Sequence, residues 1–209
     1  MDHHPPTLGL ILAGGRASRM NGVDKALIEV GGKTILARLI ERMTPQFEGL
    51  ILNANGDPAR FAGYDVPIVA DSAVDFPGPL AGILAGIEWA RMNRPDIRWI
   101  ASVASDEPFA PRDLVARLHE ERIAQDAEIA CAASLGRTHP VNALWPVSTA
   151  PAVRRALYEE GERSIGRFAA RYRVAVVEWP ASPVDPFFNA NTPEDIAEAR
   201  RLAAEQPDR

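Results

Sequence analysis

An α/β fold is what this sequence predicts, with a mainly parallel (mixed) central sheet covered by helices on both faces. Three observations lead there. Short aliphatic runs recur at 8–12, 49–53, 66–70 and 99–103, each ended by glycine or followed by polar residues. Runs of that length and composition read as buried strands. Between them lie segments with apolar residues at helical spacing and with helix-start residues at their beginnings. Polar residues collect just past the strands: a glycine loop after the first, Asn53 and Asn55 after the second, Asp71 after the third and Asp106 after the fourth. Alternating strands and helices give a parallel sheet buried on both sides, which binds ligands at the carboxyl ends of its strands.

Each element can be justified in turn. Residues 8–12 form the first strand, and the chain then enters a loop holding Gly14, Gly15 and Gly22 with the cations Arg16, Arg19 and Lys25. Glycine lets a backbone approach a ligand closely. Successive free N–H groups, reinforced by Arg and Lys, make an anion-binding concavity that suits a polyphosphate. Two common phosphate loops do not fit. Gly32, Lys33 and Thr34 supply the end of a Walker A, but Leu27 stands where its first glycine belongs. No G-x-G-x-x-G follows Leu12 either.

Downstream, residues 26–30 and the Gly31-Gly32 turn lead to Thr34, an N-cap for a helix with Ile35, Leu36, Leu39, Ile40 and Met43 on one face. Strands at 49–53 and 66–70 follow, then a loop over 72–79, a helix over 80–92 and a strand over 99–103. A helix over 111–125 takes Leu114, Leu118 and Ile123 as its apolar side. The second half predicts strands at 128–133, 141–145 and 174–179, and helices at 150–160 and 164–172. Thr192, Pro193, Glu194 and Asp195 open a last helix with a cap, a proline and first-turn acids. It runs to about residue 205, and the tail frays.

With 209 residues, no repeat and no linker, one domain spanning 1–209 is expected. A net charge of −5 argues against nucleic-acid binding through a basic surface, so an anion site must be local. The single cysteine, Cys131, excludes an internal disulfide and reads as a buried, inert thiol. His3 and His4, in a short tail ahead of two prolines, read as disordered rather than metal-binding. No signal peptide and no membrane span are seen, so a cytoplasmic location is expected.

A polyphosphate site calls for a divalent metal, and magnesium takes one or two carboxylates alongside phosphate and water. Asp106 is the best-placed ligand, just past a strand and ahead of Pro108; the lesser reading, on spacing alone, is an Asx turn or helix cap. Asp71, Asp75 and Glu107 are further carboxylates nearby in sequence. Other layouts fail. Ile123 stands where H-E-x-x-H, beginning at His119, needs its second histidine, and no G-x-S-x-G occurs. His139 reads more simply as a structural hydrogen-bonding group than as a general acid or base.

The stretch 12–27, with Leu12, Ala13, Gly14, Gly15, Arg19, Met20, Asp24, Lys25 and Leu27, resembles the L-A-G-G-x-x-x-R-M-G-x-x-D-K-x-L signature of nucleotidyltransferases. Further matches lie at 75–84 (Asp-Phe-Pro-Gly-Pro-Leu-Ala-Gly-Ile-Leu), 106–108, 139–141 and 188–195. Together they resemble the molybdenum cofactor guanylyltransferases, the MobA type, over nearly the whole chain. There are two departures: Asn21 stands where glycine is common, and Ala104 and Ser105 precede Asp106 where proline and a small polar residue are frequent.

The resemblance implies a single Rossmann-like, three-layer nucleotidyltransferase domain. It implies transfer of GMP from GTP to molybdopterin with Mg²⁺, and transient contacts with other molybdenum-cofactor proteins. By position, Leu12, Ala13, Gly14, Lys25, Asn53, Asp71 and Asp106 contact GTP, and Asp106 holds the metal. Asn189 and Asn191 lie toward the pterin or the metal. Arg19, Lys25 and the amides around Gly14 and Gly15 take the β- and γ-phosphates. A cytidylyltransferase, a sugar-phosphate nucleotidyltransferase and a non-catalytic nucleotide-binding delivery protein remain as alternatives at this level.

Overall fold

The computed structural model describes residues 4–13, 19–20, 23–71 and 78–205, with only the backbone at Arg19, Met20 and Val23. Gly14, Gly15, Arg16, Asn21, Gly22, Asp75 and the tail from 206 lie outside the described residues. The chain begins with β1 (Thr7–Leu12), followed by two small hairpins, β2 (Arg19–Met20) with β3 (Val23–Asp24) and β4 (Glu29–Val30) with β5 (Lys33–Thr34). Then come α1 (Ile35–Met43), β6 (Leu50–Asn53), β7 (Ile68–Val69), α2 (Pro79–Asn93), β8 (Trp99–Ala104) and α3 (Leu114–Ala124). The second half adds β9 (Ile129–Ser134), β10 (Arg137–Pro146), α4 (Ala150–Tyr158), α5 (Ile165–Ala169), β11 (Val174–Trp179) and α6 (Pro193–Glu205).

Among the described residues, seven strands form one sheet in the order β11-β9-β10-β8-β1-β6-β7. Strand β10 runs antiparallel to both neighbours, and the other pairings are parallel. The mixed, mainly parallel sheet expected from the sequence is therefore present. Alternation along β1 sends Ile11 to one face and Leu10 and Leu12 to the other. Helices α1, α3 and α6 bury their apolar residues on the Ile11 side, while α2, α4 and α5 cover the Leu10 side. No helix among the described residues is long and apolar enough to cross a membrane.

Helix α2 is apolar nearly all round, and it lies very close to the sheet. A Cβ on Gly82 would meet Asn53 Oδ1 at 2.4 Å and Leu12 Cδ2 at 2.7 Å, and one on Gly86 would meet Leu10 Cδ2 at 2.6 Å. Two glycines four residues apart on one helix face permit that approach.

Several expectations are corrected. Ile123 is 62% exposed: a five-residue step from Leu118 turns the helix by about 140°, so Val115 and His119 join the buried side instead. The strand expected over 141–145 begins at Arg137, because Leu135 and Gly136, at φ of 52° and 70°, make a tight hairpin with β9. The helix expected over 164–172 is one short segment, α5. His139 lies on β10 rather than in a loop, and it makes the expected structural bond, to Ser134 Oγ at 2.8 Å. His4 is not a loose tail, since its ring stacks on His119 with centroids 5.4 Å apart. Cys131 is buried as expected, and burial pushes its thiol up to about 11.

Candidate functional site

The site is built where three adjacent strands end together. Leu12 at the end of β1 pairs with Asn53 of β6 on one side and Ala104 of β8 on the other. Two further main-chain bonds extend this alignment past the sheet: Ala13 N donates to Asn53 O over 2.8 Å, and Ser105 N donates to Leu12 O over 3.2 Å. The ends of β6 and β8 are thereby locked to the start of the glycine loop. The Ala13 amide is engaged in this lock.

On the β6 side, Asn53 is almost completely buried. Its Nδ2 donates to Val69 O over 3.1 Å and to Asp71 Oδ1 over 2.8 Å. Asn55 clamps the same residue from outside: its Nδ2 donates to Asp71 Oδ2 over 2.7 Å, and its Oδ1 accepts from Asp71 N over 2.9 Å. The Asp71 carboxylate is thus held by two amides at a fixed angle, one on each oxygen. Asn53 is set by Gly82, whose missing Cβ makes room for the amide oxygen.

On the β8 side, Asp106 is half-buried, and burial raises its carboxyl above the usual range while its own backbone and Lys25 pull it back. Lys25 is itself buried, at the start of a short 3-10 turn capped by Asp24, whose Oδ1 accepts from Ala26 N over 3.3 Å. Asp24 is also paired with Arg60 over 3.4 Å. The Lys25 ammonium donates to Asn191 Oδ1 over 2.7 Å. Burial works against charge on Asp195, but amides of Thr192 and Asn191, the Thr192 hydroxyl and Lys25 outweigh it and hold that carboxyl low. The loop before α6 is pinned to the same place, with Ala190 N donating to Asp106 O over 2.9 Å. Asn189 is exposed, and its Nδ2 donates to Phe187 O over 3.1 Å.

The structure therefore brings Leu12, Ala13, Lys25, Asn53, Asp71, Asp106 and Asn191 to one edge, with Asn189 two residues from Asn191. Gly14 and Gly15 fall outside the described residues, and only the backbone of Arg19 is described, paired with Asp24. Sequence reading gave no site role to Asp24, Gly82, Asn142 or Asp195, although Asp24 and Gly82 stand in the motifs it matched and Asp195 in the helix start it described. A cleft of about 450 Å³ lined by Arg91, Ile97, Trp99 and Pro146 lies at the opposite, amino-terminal end of β8, away from all these residues.

As a donor set, one half-buried carboxylate beside a lysine suits a hard divalent cation whose remaining ligands are phosphate and water. Among the described residues no group of three metal-binding side chains occurs. A lysine and a carboxylate together at the carboxyl ends of parallel strands suit a phosphorylated ligand.

Residues 9–176 match the family model of the MobA-like NTP transferase domain. The chain belongs to the MobA-like NTP transferase family. Within it, a relative from Rhodopseudomonas palustris (strain BisB5), named molybdenum cofactor guanylyltransferase, is 57% identical over 203 residues, covering 97% of each chain. A relative of the same name from Nitrobacter hamburgensis is 56% identical over 200 residues, covering 96% of each. The crystal structure of molybdopterin-guanine dinucleotide biosynthesis protein A from Archaeoglobus fulgidus superimposes with a TM-score of 0.72 at 22% identity, covering 95% of this chain and 99% of that one. At that identity the likeness is one of fold.

Proposed function

We propose that this MobA-like protein transfers GMP from GTP to the terminal phosphate of molybdopterin and releases pyrophosphate. The observation that carries the reading is the electrostatic pairing of Lys25 with Asp106 at the carboxyl edge of the sheet, an edge that the doubly clamped Asp71 shares. Relatives at 56–57% identity over nearly the whole chain support guanylyl transfer above the cytidylyl, sugar-phosphate and delivery-protein alternatives.

The mechanism follows from charge. A phosphate monoester has a second pKa of about 6, so the acceptor oxygen is already anionic at neutral pH and needs no protein base. What remains is alignment with the α-phosphorus of GTP and neutralisation of the leaving pyrophosphate. Lys25 and the Gly14–Gly15 amides, with Arg19, take the β- and γ-phosphates. Lys25 is held for this by Asn191, and it stands in the short turn that Asp24 caps. Asp71 and Asn53 orient the nucleoside end, and Asn189 and Asn191 border the acceptor. Asp106 would hold Mg²⁺, which when bound supplies positive charge to the α-phosphate oxygens.

The deciding experiment is incubation of the protein with Mg²⁺, GTP and molybdopterin, with the product identified by mass. A guanine dinucleotide with one pyrophosphate released per turnover is expected. Tight GTP binding without product, or a product formed only from CTP, would overturn the reading.

A further inference from the structure

Strand β10 does not run evenly along β9. Their ladder pairs His139 with Ala132 and next pairs Ala143 with Cys131, so Pro140, Val141 and Asn142 stand out of register. Ser102 Oγ donates to Val141 O over 2.5 Å and accepts from Trp145 Nε1 over 3.0 Å, which anchors this bulge on β8. A bulge re-aims a side chain, and here the side chain is Asn142. Its Oδ1 accepts from Ala104 N over 3.1 Å, and its Nδ2 lies 2.9 and 2.8 Å from the two carboxyl oxygens of Glu107. Asn142 is fully buried and Glu107 is 2% exposed.

One buried amide therefore spans the two residues that flank Ser105 and Asp106. The opposite side of the same turn is held by main chain, through Leu12 O on Ser105 N and Ala190 N on Asp106 O. Buried polar pairs contribute little net stability compared with well-packed apolar residues of the same volume. What such a bridge supplies is a fixed geometry. A carboxylate that must meet a cation and a phosphate oxygen needs its angle set by supporting groups.

We propose that Asn142 and Glu107 are positioning residues for nucleotidyl transfer: their bridge sets the turn 104–107, so that the Asp106 carboxylate is presented in one orientation. The inference rests on the reading that Asp106 serves the metal-bound nucleotide. It assigns neither Asn142 nor Glu107 a contact with substrate.

The test compares Asn142→Ala, Glu107→Ala and Glu107→Gln, since glutamine keeps an acceptor oxygen for Asn142 Nδ2. GTP binding is measured by calorimetry with and without Mg²⁺, and turnover is measured in parallel. In both alanine variants the affinity gained from Mg²⁺ should fall about 10-fold and kcat about 10²-fold, the range for lost outer-shell support. The metal-free Kd for GTP should stay within about 3-fold, as for a residue that touches no nucleotide. Glu107→Gln should restore both quantities to within about 5-fold of the natural protein.

An unchanged Mg²⁺ gain in folded Asn142→Ala overturns the proposal. So does equal loss of metal-free and metal-bound affinity, or a Glu107→Gln variant as impaired as Glu107→Ala. If the alanine variants do not fold, Glu107→Asp, shorter by one methylene, decides: loss of the Mg²⁺ gain supports the bridge and retention overturns it. A natural protein that shows the Mg²⁺ gain yet makes no dinucleotide defeats the functional reading while leaving the binding comparison valid. Absence of any Mg²⁺ gain defeats both.

Discussion

Lys25 and Asn191 meet across 166 positions of sequence, with Nζ donating to Oδ1 over 2.7 Å. The contact joins the chain just past the glycine loop to the start of α6, the last helix. Its other neighbours are acids: Lys25 acts electrostatically on both Asp106 and Asp195. The bond to Asn191 fixes the ammonium of this buried lysine. An arriving triphosphate would find it in place.

Replacing Lys25 with alanine should therefore weaken triphosphate binding far more than monophosphate binding. A lost charged hydrogen bond corresponds to about 10- to 100-fold in affinity. The ratio of the GTP and GMP dissociation constants, measured by calorimetry, should rise by that factor. Asn191→Ala should raise it much less, because the ammonium survives. A ratio unchanged in Lys25→Ala would remove this residue from the phosphate tail.

Asp106→Ala should lower kcat by about 10²- to 10³-fold, the scale for one preorganised electrostatic group. Pyrophosphate release with GTP and molybdopterin at saturating Mg²⁺ measures it. Metal-free GTP binding should not weaken, since a carboxylate near a triphosphate repels it. Normal turnover in this variant would contradict its proposed role.

Much of this arrangement is legible in the sequence, for physical reasons. Strand ends announce themselves, because an aliphatic run followed by Asn53 or Asp106 marks the point where apolar residues give way to polar ones. The α6 start is equally plain, since Thr192, Pro193 and Asp195 each suit one helix-start position, and Thr192 Oγ1 does accept from Asp195 N over 3.1 Å. Asn142 is another matter. It looks like an ordinary polar residue in a strand, and only the register shift beside β9 turns it toward Glu107. Bulges carry no periodic signal, and a turn such as Leu135-Gly136 lacks the usual Asn or Asp at its first position. Contacts between distant segments, such as Gly82 on Asn53, are set by tertiary approach and leave only a glycine behind.

That glycine supplies a prediction of unusual sign. Alanine is normally the better helix former by about 1 kcal/mol, so Gly→Ala inside α2 would ordinarily stabilise. At Gly82 the new Cβ would fall 2.4 Å from Asn53 Oδ1 and 2.7 Å from Leu12 Cδ2. Overpacking of this kind costs about 1–3 kcal/mol. Urea unfolding of Gly82→Ala should show that loss, together with weakened GTP binding as Asn53 is pushed off Asp71. Gly86→Ala, whose nearest clashes all fall on Leu10, should lose stability and keep its GTP affinity. Equal effects of the two on GTP would argue against the Asn53 route.

The other end of β1 carries a pH dependence. Thr7 Oγ1 donates to Pro5 O over 2.7 Å, so it must accept from His119 Nε2, 2.8 Å away. That assigns the proton to Nε2 and leaves Nδ1 buried without a hydrogen-bond partner. Charging the ring would add a second buried N–H, beside the stacked His4 and near Arg122. Burial above all, then the neighbouring His4 and Arg122, lowers His119 to about 3. The unfolded chain takes up this proton near the ordinary value of about 6.5. Between those values the unfolded state binds more protons, so stability rises with pH across the window and falls as pH drops below about 6.5. One such group contributes a slope of about 1.4 kcal/mol per pH unit. Denaturant unfolding at pH 7, 6 and 5 should show this decline, and His119→Gln, which still reaches Thr7 but cannot titrate, should flatten it by one proton's worth. A slope left intact by that substitution would mean that another group sets the acid limit of the fold.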